Sequence, residues 1–135
     1  MKFNFTSQIC TTEEQSKRLL ALGLNAETAD MSYQVKFFDP FPQHLVDCTP
    51  SLLTHPPIND ERFIPAWSLH RLIEMCPLIP NPARFLAVAS FKSVYVRMND
   101  EVDMCYAGKG TYNNLIDCIE WLIREGYFNK EYLVK

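Results

Sequence analysis

The chain is poor in what cofactor and phosphate sites are usually built from. Only four glycines stand in 135 residues. The one close pair, Gly108 and Gly110, brackets Lys109 without the rest of a phosphate-binding loop, and it reads as a plain turn. The five cysteines, at 10, 48, 76, 105 and 118, form no C-x-x-C pair, and their odd number leaves one unpaired under any full pairing. Reduced thiols in a cytoplasm are expected. Lys and Arg never cluster: the net charge is −3, and from residue 99 onward seven acidic side chains face four basic ones. That balance disfavours nonspecific binding to nucleic acid or to an anionic membrane. No apolar run approaches 18 residues, and the opening MKFNFTSQIC has neither a long apolar core nor a small-residue cleavage site, so no membrane span and no export are expected.

Proline is absent from both flanks. All nine prolines lie between Pro40 and Pro82, which punctuates the middle third against long regular structure. The interleaved Phe41, Leu45, Val46, Leu52, Leu53, Ile58 and Phe63 carry too much apolar surface for a disordered linker. Residues 40–82 therefore read as an ordered, proline-rich loop region, with one helix inside it over residues 65–75. Pro65 is placed at the first helical position, Pro77 stops the helix, and Leu69, Leu72, Ile73 and Cys76 line its apolar side.

What is present in quantity is apolar material, 47% of the chain with 13% aromatic, enough for one core and one domain over 1–135. The strongest pattern is TYNNLIDCIEWLIREG, residues 111–126. At about 100° per residue, Leu115, Ile116, Cys118, Ile119, Leu122 and Ile123 share a broad apolar arc, with Asp117, Glu120 and Arg124 opposite. Thr111 is placed as N-cap, Glu120 and Arg124 as an i,i+4 pair, and Gly126 as the left-handed stop. A first helix is expected over 12–22, with Thr11 and Glu14 as its capping box and Gly23 as its end. Asn25 and Thr28 suggest a further helical turn.

A short strand is placed near residues 2–5. Tyr33, Val35 and Phe37 alternate with Gln34 and Lys36 as in a half-buried strand. Residues 84–98 alternate as two strands broken near 91–93, with Val94, Val96 and Met98 on one face and Tyr95 and Arg97 on the other. A turn at 99–101 leads to a third strand over 102–106. The aromatic tail with Tyr127, Phe128 and Tyr132 is expected to dock on the body. The fold class is α+β: one domain, a small, mainly antiparallel sheet, the C-terminal amphipathic helix across one face and two shorter helices beside it.

Two stretches, residues 64–77 (IPAWSLHRLIEMCP) and 114–133 (NLIDCIEWLIREGYFNKEYL), together with TTEEQSKRLLALGLNAETADM near the start, resemble a family of small uncharacterised proteins encoded by prophages and mobile elements of Bacteroidales. The P-A-W-S-L run at 65–69 is the most distinctive part; His70 and Arg71 depart from the small or polar residues that usually follow. The resemblance brings no activity, cofactor or catalytic residue. It implies a phage-like or mobile-element setting, in which a small protein that binds a host or phage component is expected before a metabolic enzyme.

Chemistry-bearing constellations are sparse. His44, Cys48 and His55 offer imidazoles and a thiolate at suggestive spacing, but prolines interrupt the helix that would align them, and loop residues are the simpler reading. Cys76 lies six residues beyond His70, too far round a helix to face it, and Cys118 sits on an apolar arc where a cysteine acts as a small hydrophobe. Asp100 with Glu101 and Asp60 with Glu61 read as solvated turns. Trp121 reads as the edge of the core. Phe63, Trp67, His70 and Arg71 together form the candidate binding surface: an aromatic anchor beside an arginine able to form bidentate contacts. The competing reading buries Trp67. No catalytic residue, metal or cofactor is assigned. The expected function is a nonenzymatic protein-binding accessory factor, ahead of a structural or assembly component of a virion and a small thiol or metal-dependent hydrolase.

Overall fold

The 111–126 pattern forms a 14-residue helix, α3 (Thr111–Arg124), in the computed structural model of the chain. The structure describes residues 7–37, 44–46, 51–52 and 63–135, with the side chains of 7–33 and 63–135. Leu115, Ile116, Cys118, Ile119 and Leu122 are fully buried and form the middle of the main core. Gly126 stands at φ +79°, where an L side chain would be strained, and stops the helix as expected. The start differs from expectation. Gly110 is the N-cap, and the Thr111 hydroxyl instead donates to the Ser90 carbonyl at 3.2 Å, tying the helix to the hairpin turn at 90–91.

Asp117 also departs from its expected place opposite the core. It is buried, because the first helix, α1 (Glu13–Ala21), lies along that flank and presents Arg18 to it. The capping box of α1 is Thr12 with Gln15, one residue later than expected: Gln15 N–H donates to Thr12 Oγ1 and Thr12 N–H to Gln15 Oε1. Thr11 is not the cap because its hydroxyl is buried, paired with Ser16 and accepting from the Trp67 N–H. A single 3-10 turn, Ala26–Thr28, follows, with the Asn25 side chain capping it.

Two small antiparallel sheets replace the single sheet expected. In the first, β1 (Met31–Phe37) pairs with β2 (His44–Val46), β3 (Ser51–Leu52) and β4 (Phe63–Ala66). The register Met31↔Ala66 through Gln34↔Phe63 places Pro65 in this strand, opposite Ser32. The next helix, α2 (Leu69–Glu74), therefore starts at Ser68 and not at Pro65; the Ser68 hydroxyl accepts from Arg71 N–H, while Asp30 accepts from both Ser68 N–H and its hydroxyl. The second sheet is the expected meander, β5 (Arg84–Ala89), β6 (Lys92–Arg97) and β7 (Val102–Ala107). Because β4 returns to β1, the two groups of strands close separately, and α3 packs across the second.

The tail docks. Phe128 is buried, Leu24 bridges Leu133, and Val134 N–H donates to the Gly23 carbonyl at 2.7 Å. The strand expected near residues 2–5 and most of the proline-rich segment lie outside the described residues. Among the described residues, no helix is long and apolar enough to cross a membrane.

Candidate functional site

The register of the second sheet sorts its side chains into two faces. Leu86, Tyr95 and Met104 lie opposite one another across the three strands, as do Val88, Ser93 and Tyr106. The apolar members of these rows belong to the core under α3. Since strand side chains alternate, the intervening rows face away from the core: Phe85 with Val96 and Val102, Ala87 with Val94 and Cys105, and Ala89 with Lys92 and Ala107. Only Lys92 in these three rows carries a charge.

An antiparallel sheet with one solvated face ordinarily alternates apolar-in with polar-out. Here both faces are apolar. Val94, at the centre of the outer one, is buried, whereas Phe85 is 39% and Val102 54% exposed. The turns at the two ends of β6 add Phe91, 62% exposed, and Met98, 80% exposed. Lys92 Nζ stands 5.4 Å from the Phe91 ring centroid. The largest apolar patch on a soluble protein is often a functional surface.

The charges that end the sheet are turned inward. A register shift between Tyr95 and Val96 accommodates Asp103, which accepts from Arg84 Nη1 and Arg97 Nε, both at 2.8 Å. Arg84 in turn lies over the Tyr127 ring, 5.0 Å from its centroid. The Arg84 hydrogen bond, with that of Arg97, holds the Asp103 carboxyl below its ordinary range. Tyr95 is anchored by donating to the Pro77 carbonyl at 2.8 Å, and burial pushes its phenol up. The outer face is thus the exposed side of a sheet held rigidly from behind.

A second concavity, an open cleft of about 410 Å³ between α1 and α3, is lined by Thr12, Glu14, Gln15, Arg18 and Asn113. Its polar groups already serve one another: Gln15 Nε2 donates to Asn113 Oδ1 at 3.0 Å, and Arg18 Nη2 reaches Asp117 at 2.5 Å and Glu120 at 2.9 Å. It is a helix-to-helix clamp, with no nucleophile and base brought together.

The four residues singled out from sequence do not form one exposed surface. Trp67 is fully buried, its indole N–H donating to Thr28 Oγ1 at 2.9 Å, and it packs in the main core. Phe63 is exposed at the start of β4. His70 and Arg71 lie on α2, both directed at Glu74, at 3.2 and 3.9 Å. Removing the tryptophan from the surface takes away the aromatic anchor. The apolar outer face was not singled out, although its signal was present: Val94 and Val96 on one parity of β6, with Phe85, Val102 and Cys105 matching them across the meander.

His44, Cys48 and His55 lie outside the described side chains. Among the described residues, no three of His, Cys, Asp and Glu gather to hold a metal. Burial pushes the Cys10 thiol up, and hydrogen bonding with Cys76 together with burial does the same to Cys118, which keeps both as thiols and not thiolates. No family model, no curated protein and no solved structure matches the chain.

Proposed function

We propose that the protein is a nonenzymatic binding module, acting as an accessory factor in the phage-like or mobile-element setting its sequence resembles, and that it receives a protein partner on the outer face of β5, β6 and β7. One observation carries the reading: the outward rows of this sheet are apolar save for Lys92, and their ends are among the most exposed large side chains described. A solvated sheet face needs no such residues, and leaving them uncovered costs solubility, which a docking role explains. The raised thiols and the satisfied α1–α3 cleft supply nothing that an enzyme reading needs.

The test is affinity capture from the native host, using wild-type protein and the Val102→Glu and Phe85→Ser variants as bait. A partner retained by wild type and by an Arg124→Ala control, but lost from both sheet variants at unchanged urea midpoints, is expected. Identical capture by all four proteins would refute the assignment. The structural or assembly reading predicts something different, a homo-oligomer on sedimentation with no second protein bound.

A further inference from the structure

We infer that the occupant of the outer face is a single amphipathic α-helix of about 14 residues, belonging to a partner protein and carrying a carboxylate toward Lys92; this rests on the docking role proposed for that face. Size comes first. Strands of about six residues at ~3.4 Å each, spaced by ~4.8 Å, present a platform roughly 20 Å long and three strands wide. A helix ~10–12 Å across that rises 1.5 Å per residue fills it with about 14 residues. The inner face is covered in just this way, by the 14 residues of α3. The outer face has the same strands and hence the same footprint.

Relief agrees with size. Ala87 in the middle row, and Ala89 and Ala107 on either side of Lys92 in the end row, keep the face low, while Phe91 and Met98 stand exposed at opposite ends of β6. At ~3.3 Å per residue these two are about 23 Å apart along the strand, the length of a helix of about 15 residues. Such a trough receives an apolar stripe with anchors at i, i+3, i+4 and i+7.

Area separates this occupant from a second copy of the chain. With large side chains taken at ~150–250 Å² each, the exposed fractions of Phe85, Phe91, Met98 and Val102 leave about 350–590 Å² of apolar surface. A stable dimer needs about 800 Å² from each partner, whereas one docked helix needs no more than such a patch. Charge gives the final term. The single cation on the face selects an acidic residue on the partner and disfavours a basic helix, and one lysine amid apolar side chains is no platform for a phosphate backbone.

The experiment is a titration of the isotopically labelled full chain with a stapled 14-residue helix that carries leucine at i, i+3, i+4 and i+7 and one glutamate near its end. A peptide of the same composition with the leucines spread round the helix is the control. Saturable amide shifts centred on Phe85, Val94, Val96 and Val102 are expected from the first peptide only. Val102→Glu and Phe85→Ser should weaken binding at least about tenfold, and Lys92→Glu about fivefold. Spectra of the free variants, unchanged away from the sheet, show that each is folded. Shifts elsewhere, equal binding of the control, or no saturation at millimolar peptide would overturn the inference. Sedimentation of the chain alone tells the two proposals apart: a dimer abolished by Val102→Glu makes the occupant a second copy, so the helix inference falls while the docking face stands. If capture from the host is indifferent to Val102→Glu, the docking face itself falls.

Discussion

We predict that Asp117→Ala destabilises the protein by about 1.5 to 3 kcal/mol, on the scale of a core truncation although the residue carries a charge. The carboxylate is 8% exposed and lies 2.5 Å from Arg18 Nη2 and 3.0 Å from Lys109 Nζ. Removing one partner of a fully buried pair costs ~3–5 kcal/mol, because the other charge is stranded. That penalty does not arise in full here: Arg18 is 35% and Lys109 65% exposed, and Arg18 keeps Glu120. What is lost is one charge-assisted hydrogen bond, worth ~1.5–3 kcal/mol, and one surface pair worth ~0–1 kcal/mol, offset in part by relief of the carboxylate's own desolvation. Urea denaturation with an unchanged slope is the measurement. Arg18→Ala should cost much less in the Asp117→Ala background than in wild type. An Asp117→Ala cost below about 0.5 kcal/mol, or strict additivity of the two changes, would refute the ion-paired placement.

The same site sets a pH dependence. Burial alone would raise the Asp117 carboxyl, but the hydrogen bonds from Arg18 and Lys109 outweigh it and hold the group below its ordinary value of 3.8. The folded state therefore binds this proton less readily than the unfolded chain. The stabilisation is complete above the unfolded value and is lost as pH falls through the lower, folded value. Wild type should lose stability between neutral pH and the acid limb faster than Asp117→Asn, and the two should converge in acid. Parallel pH profiles would contradict the assignment.

Three further outcomes follow from the core. Ile119→Ala and Leu122→Ala, both fully buried, should each cost about 2–5 kcal/mol through lost transfer and cavity terms; a cost under 1 kcal/mol in chemical denaturation would mean that α3 is misoriented. Trp67→Ala should cost about 3–5 kcal/mol, and Thr28→Ala, which leaves the buried indole N–H unpaired, about 1–3 kcal/mol; a Trp67→Ala protein that melts like wild type would return the indole to the surface. Reductant and chelator should leave the melting temperature unmoved, since Cys10, Cys76, Cys105 and Cys118 are free thiols; a fall of several degrees with chelator would direct attention to His44, Cys48 and His55.

The elements legible in the sequence are those whose signals are local. The apolar arc of α3 and its stop at Gly126 depend on spacing within one helix, and the 84–107 meander depends on alternation and a turn. Errors came where a distant residue decides. Thr11 and Thr12 each have a suitable partner three positions on, Glu14 and Gln15, and only the engagement of Thr11 by Ser16 and Trp67 shows which one caps. Pro65 looks like a helix start until Ser32 claims it as a strand partner and Asp30 claims Ser68. Asp117 sits on the polar side of an isolated wheel, and only the arrival of Arg18 from α1 buries it. The outer sheet face was hidden for a different reason: on β6 the more apolar parity, Val94 and Val96, faces outward while Ser93 and Tyr95 lie on the side of α3, so alternation alone does not say which face the helix covers.

The tie between Gly23 and Val134 has a bearing on synthesis. Chain growth is vectorial, so the Gly23 carbonyl, just past the end of α1, waits for an N–H made 111 positions later. At ~5–20 residues per second that interval is on the order of 5–22 s. Throughout it Leu24 lacks its bridge to Leu133, and Asn25 lacks the Tyr132 carbonyl that takes its N–H. A nascent chain stalled before residue 132 therefore displays the segment that follows its first helix, residues 23–25, without these partners, and residues 132–134 act as the seal that ends this window.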